Sequence, residues 1–379
     1  MSKRERKRVK KKERKVPKES KGAIRERKEK VLSSLRDFGG KVYSQIASGE
    51  FPWVKMPSRS INNIFYDQKL RQYVLGNKSV KRSSRNVRHI KPLTQLAWTG
   101  MFVDELTRQS KTSTLRDVFY SAQAYEMSFT DQQESDNLIT DLETVIGYSR
   151  EDFNVFPEER SAIFGDLTVE YTLPGYEGRK LNLTSHPDGM MIGPALTSAE
   201  FVGCKADKVI AIEKGGLFTR FIEENVHTKH KALLIHTAGQ APRATRGFLR
   251  RLNQELDLPV YLFTDGDPWG MHIAMVIISG SANAAHLRDL NTPDAKWFGV
   301  WATDIVDYKL PSDKLTELDV KRLYELKKDP RYEGKLWNRE IETFMKIKKK
   351  AEQEAFSRYG LTYIVDEYLP AKLEMVGSE

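Results

Sequence analysis

Four short apolar runs, residues 209–212 (VIAI), 232–235 (ALLI), 260–263 (VYLF) and 297–301 (WFGVW), constrain this chain more than any other feature. Amphipathic stretches separate them, for example Phe248, Leu249, Leu252 and Leu256 around Arg250 and Arg251. Apolar strands alternating with helices describe a parallel α/β sheet covered on both faces. Ligands of such sheets bind beyond the carboxyl ends of the strands. Glu213 directly follows the first run there, and Asp265 and Asp267 follow the third, just before Pro268. Three hard oxygen donors at one sheet edge suit a Mg²⁺ ion working on phosphates. Taken alone, the Asp-Gly-Asp-Pro segment also fits an Asx-rich turn after a buried strand.

The preceding part has a different period. Residues 76–92 form a basic, Ser-rich connection, and from there to about residue 150 the pattern is helical. Leu93, Leu96, Met101 and Leu106 supply one apolar face of a first helix. Thr114-Leu-Arg-Asp117 reads as a capping box opening a second, and Asp131 to Glu134 as a cap before Leu138, Leu142, Val145 and Ile146 of a third. Residues 162–166 and 167–173 suggest two short strands around a Gly-Asp turn. Three helices and a β-hairpin in that order describe a winged helix of helix-turn-helix type. The expected architecture is therefore multidomain α/β. A basic disordered tail (1–35) and an extension (36–90) precede the winged helix (91–175). The sheet domain follows (176–379) with a charged helical C-terminal region, read as packing without chemistry.

Charge is concentrated at one end. The 379 residues carry a net charge of +10, but residues 1–30 alone hold 16 Lys/Arg against 5 Glu, which leaves the rest near neutrality. Such a segment is too polar and self-repelling to fold alone and binds polyanions by counterion release. A solubilising extension or a targeting signal are the other readings. One cysteine, Cys204, excludes a disulfide framework and a cysteine-based zinc site. No apolar stretch approaches the ~20 residues of a membrane span, so a soluble cytoplasmic protein with no membrane partner is expected.

Glu213 with Asp265-Gly-Asp267, after strands of one α/β sheet, resembles the Toprim domain of topoisomerases, bacterial-type primases and some nucleases. Thr114-Leu-Arg116-Asp117-Val-Phe119-Tyr120 is similar to the Arg-Asp/Glu-x-Tyr/Phe-Tyr motif of the A-subunit family of type IIB DNA topoisomerases (topoisomerase VI) and of its relative that makes meiotic double-strand breaks. Residues 239–252, 131–136 and Gly165-Asp166 also resemble family positions, from about residue 50 to the C-terminus in the expected order. The basic tail departs from that pattern.

The resemblance implies Tyr120 as nucleophile, Arg116 beside it, and Glu213, Asp265 and Asp267 as Mg²⁺ ligands. It also implies double-stranded DNA as substrate, a homodimer of A subunits, and a GHKL-type ATPase B subunit that binds ATP in an A2B2 heterotetramer. Residues 56–66 are the candidate docking element, and the setting is archaeal and nucleoid-associated. No Gly-x-x-x-x-Gly-Lys-Ser/Thr loop is present to bind ATP in this chain.

The chemistry fits those roles. A phenol with a pKa near ~10 needs a base or a cation to attack a phosphodiester at neutral pH. Arg116 lies one helical turn before Tyr120, on the same face. Arg243 and Arg246, opening a helix after the second strand, and Lys214 are candidate phosphate contacts, with exposed helix charges as the equal alternative. Without the motif, Tyr120 reads as a core aromatic beside Phe119. Two other functions remain: a Toprim nuclease or primase with a structural Tyr120, and a non-catalytic DNA-binding scaffold.

Overall fold

The computed structural model describes residues 23–288 and 290–377. Helix α1 (Ala23–Ala47) begins inside the expected disordered tail and corrects that expectation for residues 23–35; residues 1–22 lie outside the described residues. The charge density of the tail hid an apolar face: Val31, Leu35 and Phe38 recur at helical spacing and are buried. A bidentate pair from Arg27 to Asp152 (2.5 and 2.9 Å) and a 2.7 Å bond from Lys28 Nζ to Ser110 Oγ tie the polar side down.

Two antiparallel ribbons follow, β1 (Trp53–Pro57) with β4 (Ser79–Ser83) and β2 (Ile64–Asp67) with β3 (Gln72–Leu75). Helices α2 (Val87–Gln109), α3 (Leu115–Ala124) and α4 (Gln132–Ile146) come next. The capping box forms as expected. Thr114 Oγ1 accepts from Asp117 N and Asp117 Oδ2 accepts from Thr114 N, both at 3.0 Å. Asp131 caps α4 by accepting from Glu134 N at 2.9 Å. Met101 departs from the expected face of α2 and is 56% exposed, because a step of five from Leu96 turns it away from the core.

The expected wing does not form. Strand β5 (Ser113–Thr114) pairs in parallel with β6 (Val155–Phe156), whereas β7 (Ala162–Phe164) and β8 (Leu167–Glu170) enter different sheets. All three residues of β7 are buried, so it fits a sheet interior, while β8 alternates between buried and half-buried positions. Strand β8 lies between β9 (Lys180–Asn182) and β11 (Glu200–Cys204), and β7 joins the main sheet beside β10 (Met190–Met191). Gly165 makes the switch between the two sheets. Its φ is +142°, and a Cβ there would sit 2.9 Å from Leu233 Cδ2.

The four apolar runs form the expected strands β12 (Lys208–Ile212), β13 (Ala232–His236), β14 (Val260–Phe263) and β15 (Lys296–Gly299). The six-stranded order is β10-β7-β13-β12-β14-β15, with the last four mutually parallel and β7 and β10 antiparallel at one side. Short helix α5 (Pro194–Thr197) precedes β11. Helices α6 (Gly215–Glu223), α7 (Val226–Lys229), α8 (Arg243–Leu256) and α9 (Pro268–Ser279) connect the parallel strands. Because the chain runs from β12 to β13 on one side and to β14 on the other, the strand order reverses at the carboxyl end of β12. One core cluster spans Val31 to Val155 and a second spans Ala162 to Val376.

Candidate active site and its relatives

Helix α3 carries the candidate nucleophile on its outer face. Its buried side is Val118 and Ala122, and Tyr120, off that stripe, is 53% exposed with its ring edge-on to Phe119. The Arg116 guanidinium carbon sits 5.9 Å from the Tyr120 ring centre. The neighbouring Tyr120 hydroxyl raises the arginine's pKa. The core-aromatic reading of Tyr120 is not what the structure shows.

The carboxylates gather at the reversal point of the sheet. Ile212 and Phe263 are register partners, so Glu213 and the loop after β14 emerge side by side. Glu213 N donates to Phe263 O (3.0 Å), and Asp265 N donates to Glu213 Oε2 (3.0 Å). Burial, then the nearby Asp265 charge, pushes Glu213 up to about 8, and burial raises Asp265 as well. Asp267 is also raised by burial, and its Oδ1 accepts from Gly270 N at 2.6 Å as the N-cap of α9. The turn-capping reading therefore holds for Asp267 without removing it from the cluster.

The C-terminal region, read from sequence as packing only, supplies part of this site. Gly266 and Ala351 exchange backbone bonds, Gly266 N to Ala351 O at 2.8 Å and Ala351 N to Gly266 O at 3.0 Å. A Cβ on Gly266 would come within 3.0 Å of Val300 and 3.1 Å of Ala351 O, so glycine favours this close approach of the two segments. This bridge brings in residues 352–354. Gln353 N donates to Asp265 Oδ1 at 3.0 Å, and ligand oxygens of Asp265, Glu352 and Glu354 lie within 4.8 Å of one another. The only signal in the sequence was the acidic Glu-Gln-Glu after a run of lysines.

Lys214 and Arg243 are engaged with acids of the chain, and Arg246 is buried without such a partner. Lys214 Nζ lies 3.1 Å from Asp265 Oδ2 and also pairs with Glu352. Arg243 donates to both oxygens of Glu143 on α4 (2.8 and 3.0 Å). Arg246 is 6% exposed, its Nε and Nη1 have no hydrogen-bond partner, and burial lowers it to about 10. Neither arginine matches the exposed-charge alternative, and neither presents its guanidinium to solvent in this conformation.

A divalent cation fits the donor set. Crowded, partly buried carboxylates with raised pKa values are stabilised when a hard cation takes up their negative charge. Asp265, Glu352 and Glu354 bring oxygens close enough to share it, Glu213 adjoins Asp265 at the sheet edge, and Asp267 caps α9 beside them.

Comparison with known families agrees with the two halves of the site. Residues 208–373 match the family model for the Toprim domain of the topoisomerase 6 A subunit and Spo11, and residues 91–155 match the one described as "Type IIB DNA topoisomerase". The chain belongs to the A-subunit family of type IIB DNA topoisomerases. It is 45% identical to the type 2 DNA topoisomerase 6 A subunit of Methanothermobacter thermautotrophicus, over 93% of this chain and 99% of that protein. The counterpart from Archaeoglobus fulgidus is 37% identical over 93% and 99%, and that from Halobacterium salinarum 37% over 93% and 97%. These relatives are archaeal. No helix among the described residues is long and apolar enough to cross a membrane.

Proposed function

We propose that this chain is the DNA-cleaving A subunit of a type IIB topoisomerase, with Tyr120 as nucleophile. The observation that carries the reading is the exposed phenol on a capped helix, faced by a guanidinium one turn earlier. Tyr120 Oη attacks a DNA phosphorus and loses its proton to solvent or a base, while the P–O bond to the 3′ oxygen breaks. The product is a 5′-phosphotyrosyl linkage that keeps the bond's free energy for resealing. Arg116 donates to the non-bridging phosphate oxygens as charge develops. Glu213, Asp265 and Asp267 would hold Mg²⁺, which would supply charge neutralisation at the phosphate and at the departing 3′ oxygen.

The helix that carries Tyr120 packs into the first core through Val118 and Ala122, and the strands that carry the carboxylates pack into the second through Ile212 and Phe263. That separation supports the arrangement implied by the family, in which the tyrosine of one A subunit meets the carboxylates of another. Two tyrosines then cut both strands, and an ATPase B subunit drives strand passage in an A2B2 assembly. The exposed Ile61 and Phe65 in residues 56–66 supply apolar surface for docking that ATPase. Lys214, at the exposed edge of the carboxylate cluster, and Arg243 and Arg246, at the start of α8, would contact phosphates only after the side chains rearrange on DNA binding. The basic N-terminal residues add sequence-independent affinity.

Trapping the covalent adduct on 3′-labelled DNA tests the assignment. Tyr120→Phe should abolish the adduct and leave DNA affinity unchanged. Cleavage that persists in this variant would instead favour a Toprim nuclease in which Tyr120 is structural.

A further inference from the structure

The cation already present at the carboxylate cluster is Lys214, the residue directly after Glu213. We propose that Lys214 is a tethered counter-ion that competes with the divalent cation for Asp265, with Glu352 as the carboxylate onto which it withdraws. The inference rests on the reading of Glu213 and Asp265 as metal ligands.

The geometry sets the two cations in competition. Asp265 Oδ1 accepts the Gln353 backbone N–H at 3.0 Å. Oδ2, which has no backbone donor, is the freer oxygen for a metal ion, and it lies 3.1 Å from Lys214 Nζ. A second carboxylate stands ready, because Lys214 also pairs with Glu352, whose side chain is 59% exposed against 8% for Asp265. Withdrawal moves the ammonium from the more buried acid to the wetter one without leaving it unpaired.

Among the described residues nothing else fixes the lysine. It occupies the N-cap position of α6 in extended backbone (φ −96°, ψ 133°) and makes no side-chain cap bond. Its side chain is 34% exposed, so its stem can swing in contact with water. Glu352 is brought to this position by the Gly266–Ala351 bridge, which joins the C-terminal region to the Asp-Gly-Asp loop. In the metal-free protein, Lys214 offsets the charge of the acids. It thereby lowers the apparent affinity for a divalent ion, because that ion must first displace it.

The test is Mn²⁺ binding to the full-length protein, followed by calorimetry and by the resonance signal of free Mn²⁺, in Lys214→Met, Glu352→Gln, the double variant and Asp265→Asn. Lys214→Met should bind Mn²⁺ about tenfold more tightly, the scale of one lost charge-assisted bond. Lys214→Gln repeats the measurement with a polar side chain should the Met variant fold poorly. Glu352→Gln alone should weaken binding, since the ammonium then rests on Asp265. The same change made in the Lys214→Met background should weaken it far less, by a factor about tenfold smaller. Equal factors in both backgrounds would make Glu352 a ligand or a general negative charge, and would overturn the proposal. Unchanged affinity in Lys214→Met and Lys214→Gln would do the same. Asp265→Asn should lose Mn²⁺ binding; retention of full affinity would remove the metal-site reading itself, a separate failure.

Discussion

Glu143 joins the two cores, and removing it should cost more stability than any surface substitution in the chain. Its carboxylate is fully buried on α4, in the first core. It accepts Arg243 Nη1 at 2.8 and 3.0 Å and Arg150 N at 2.8 Å, and His286 Nε2 lies 2.8 Å from Oε2. Arg243 and His286 belong to the second core's region, and their side chains are only 14% and 3% exposed. Glu143→Ala therefore leaves a buried guanidinium and a buried imidazole without their acceptor, a loss of roughly 3–5 kcal/mol.

Proton linkage gives a second measure of the same contact. Burial alone would raise the Glu143 pKa, but His286 and Arg243 outweigh it and bring the value from 4.5 down to about 2. A depression of that size corresponds to about 3 kcal/mol. Because the folded pKa is the lower one, this stability is complete above pH ~4.5 and is lost as pH falls toward ~2. Scanning calorimetry should show the variant melting about 4–6 °C lower at pH 7. The gap should close progressively between pH ~4.5 and ~2 as the wild-type carboxylate is protonated. A pH 7 melting temperature within ~1 °C of wild type, or a gap that does not narrow in acid, would refute the reasoning.

Three further outcomes are expected. Thr114→Ala removes the capping box of α3 and should cost about 1 kcal/mol in urea unfolding, with a fall in covalent adduct because the cap sets the helix that carries Tyr120. Glu213→Gln should stabilise the metal-free protein above pH ~8 by roughly 1–3 kcal/mol while abolishing Mg²⁺-dependent cleavage. The sign follows from the raised carboxyl pKa of about 8: ionisation in the folded state is unfavourable, so the acid destabilises as pH rises toward that value. Deleting residues 1–22 should lower DNA affinity and flatten its dependence on salt with cleavage intact; an unchanged slope in a filter-binding titration would exclude the tail from binding.

How legible each residue was in the sequence depended on how local its cause is. The strands β12–β15 could be read because burial on both faces demands an unbroken apolar run, and their parallel order then placed Glu213 and Asp265 together. The wing was misassigned because two short apolar runs around a Gly-Asp turn look like a hairpin whether or not they pair. What separated them was the packing of Gly165 against Leu233, a contact about seventy residues away in sequence. Glu352 was not legible, since no periodicity links it to Asp265 and only the Gly266–Ala351 bridge brings it there. Arg246 could have been read better. It precedes Leu249 by three and Leu256 by ten, so it shares the buried stripe of α8, and its burial was implicit in the same spacing that identified the helix.

The chain itself supports the crowded acids at the sheet edge. Asp265 and Glu213 are brought within one backbone hydrogen bond of each other by register alone, and their repulsion would oppose folding if both were ionised and unsupported. The chain supplies the support from its own groups: Gln353 N on one oxygen of Asp265, Lys214 on the other, and Gly270 N on Asp267. Two of these three supports are backbone donors that a metal ion need not displace. Only Lys214 takes the oxygen the metal requires, and it is the only one of the three attached through a flexible stem. A site held entirely by backbone donors would leave no open oxygen for exchange, and one held entirely by lysines would need several cations expelled at once. One mobile cation among fixed donors lets the acids stay paired in the resting protein and open at a single position.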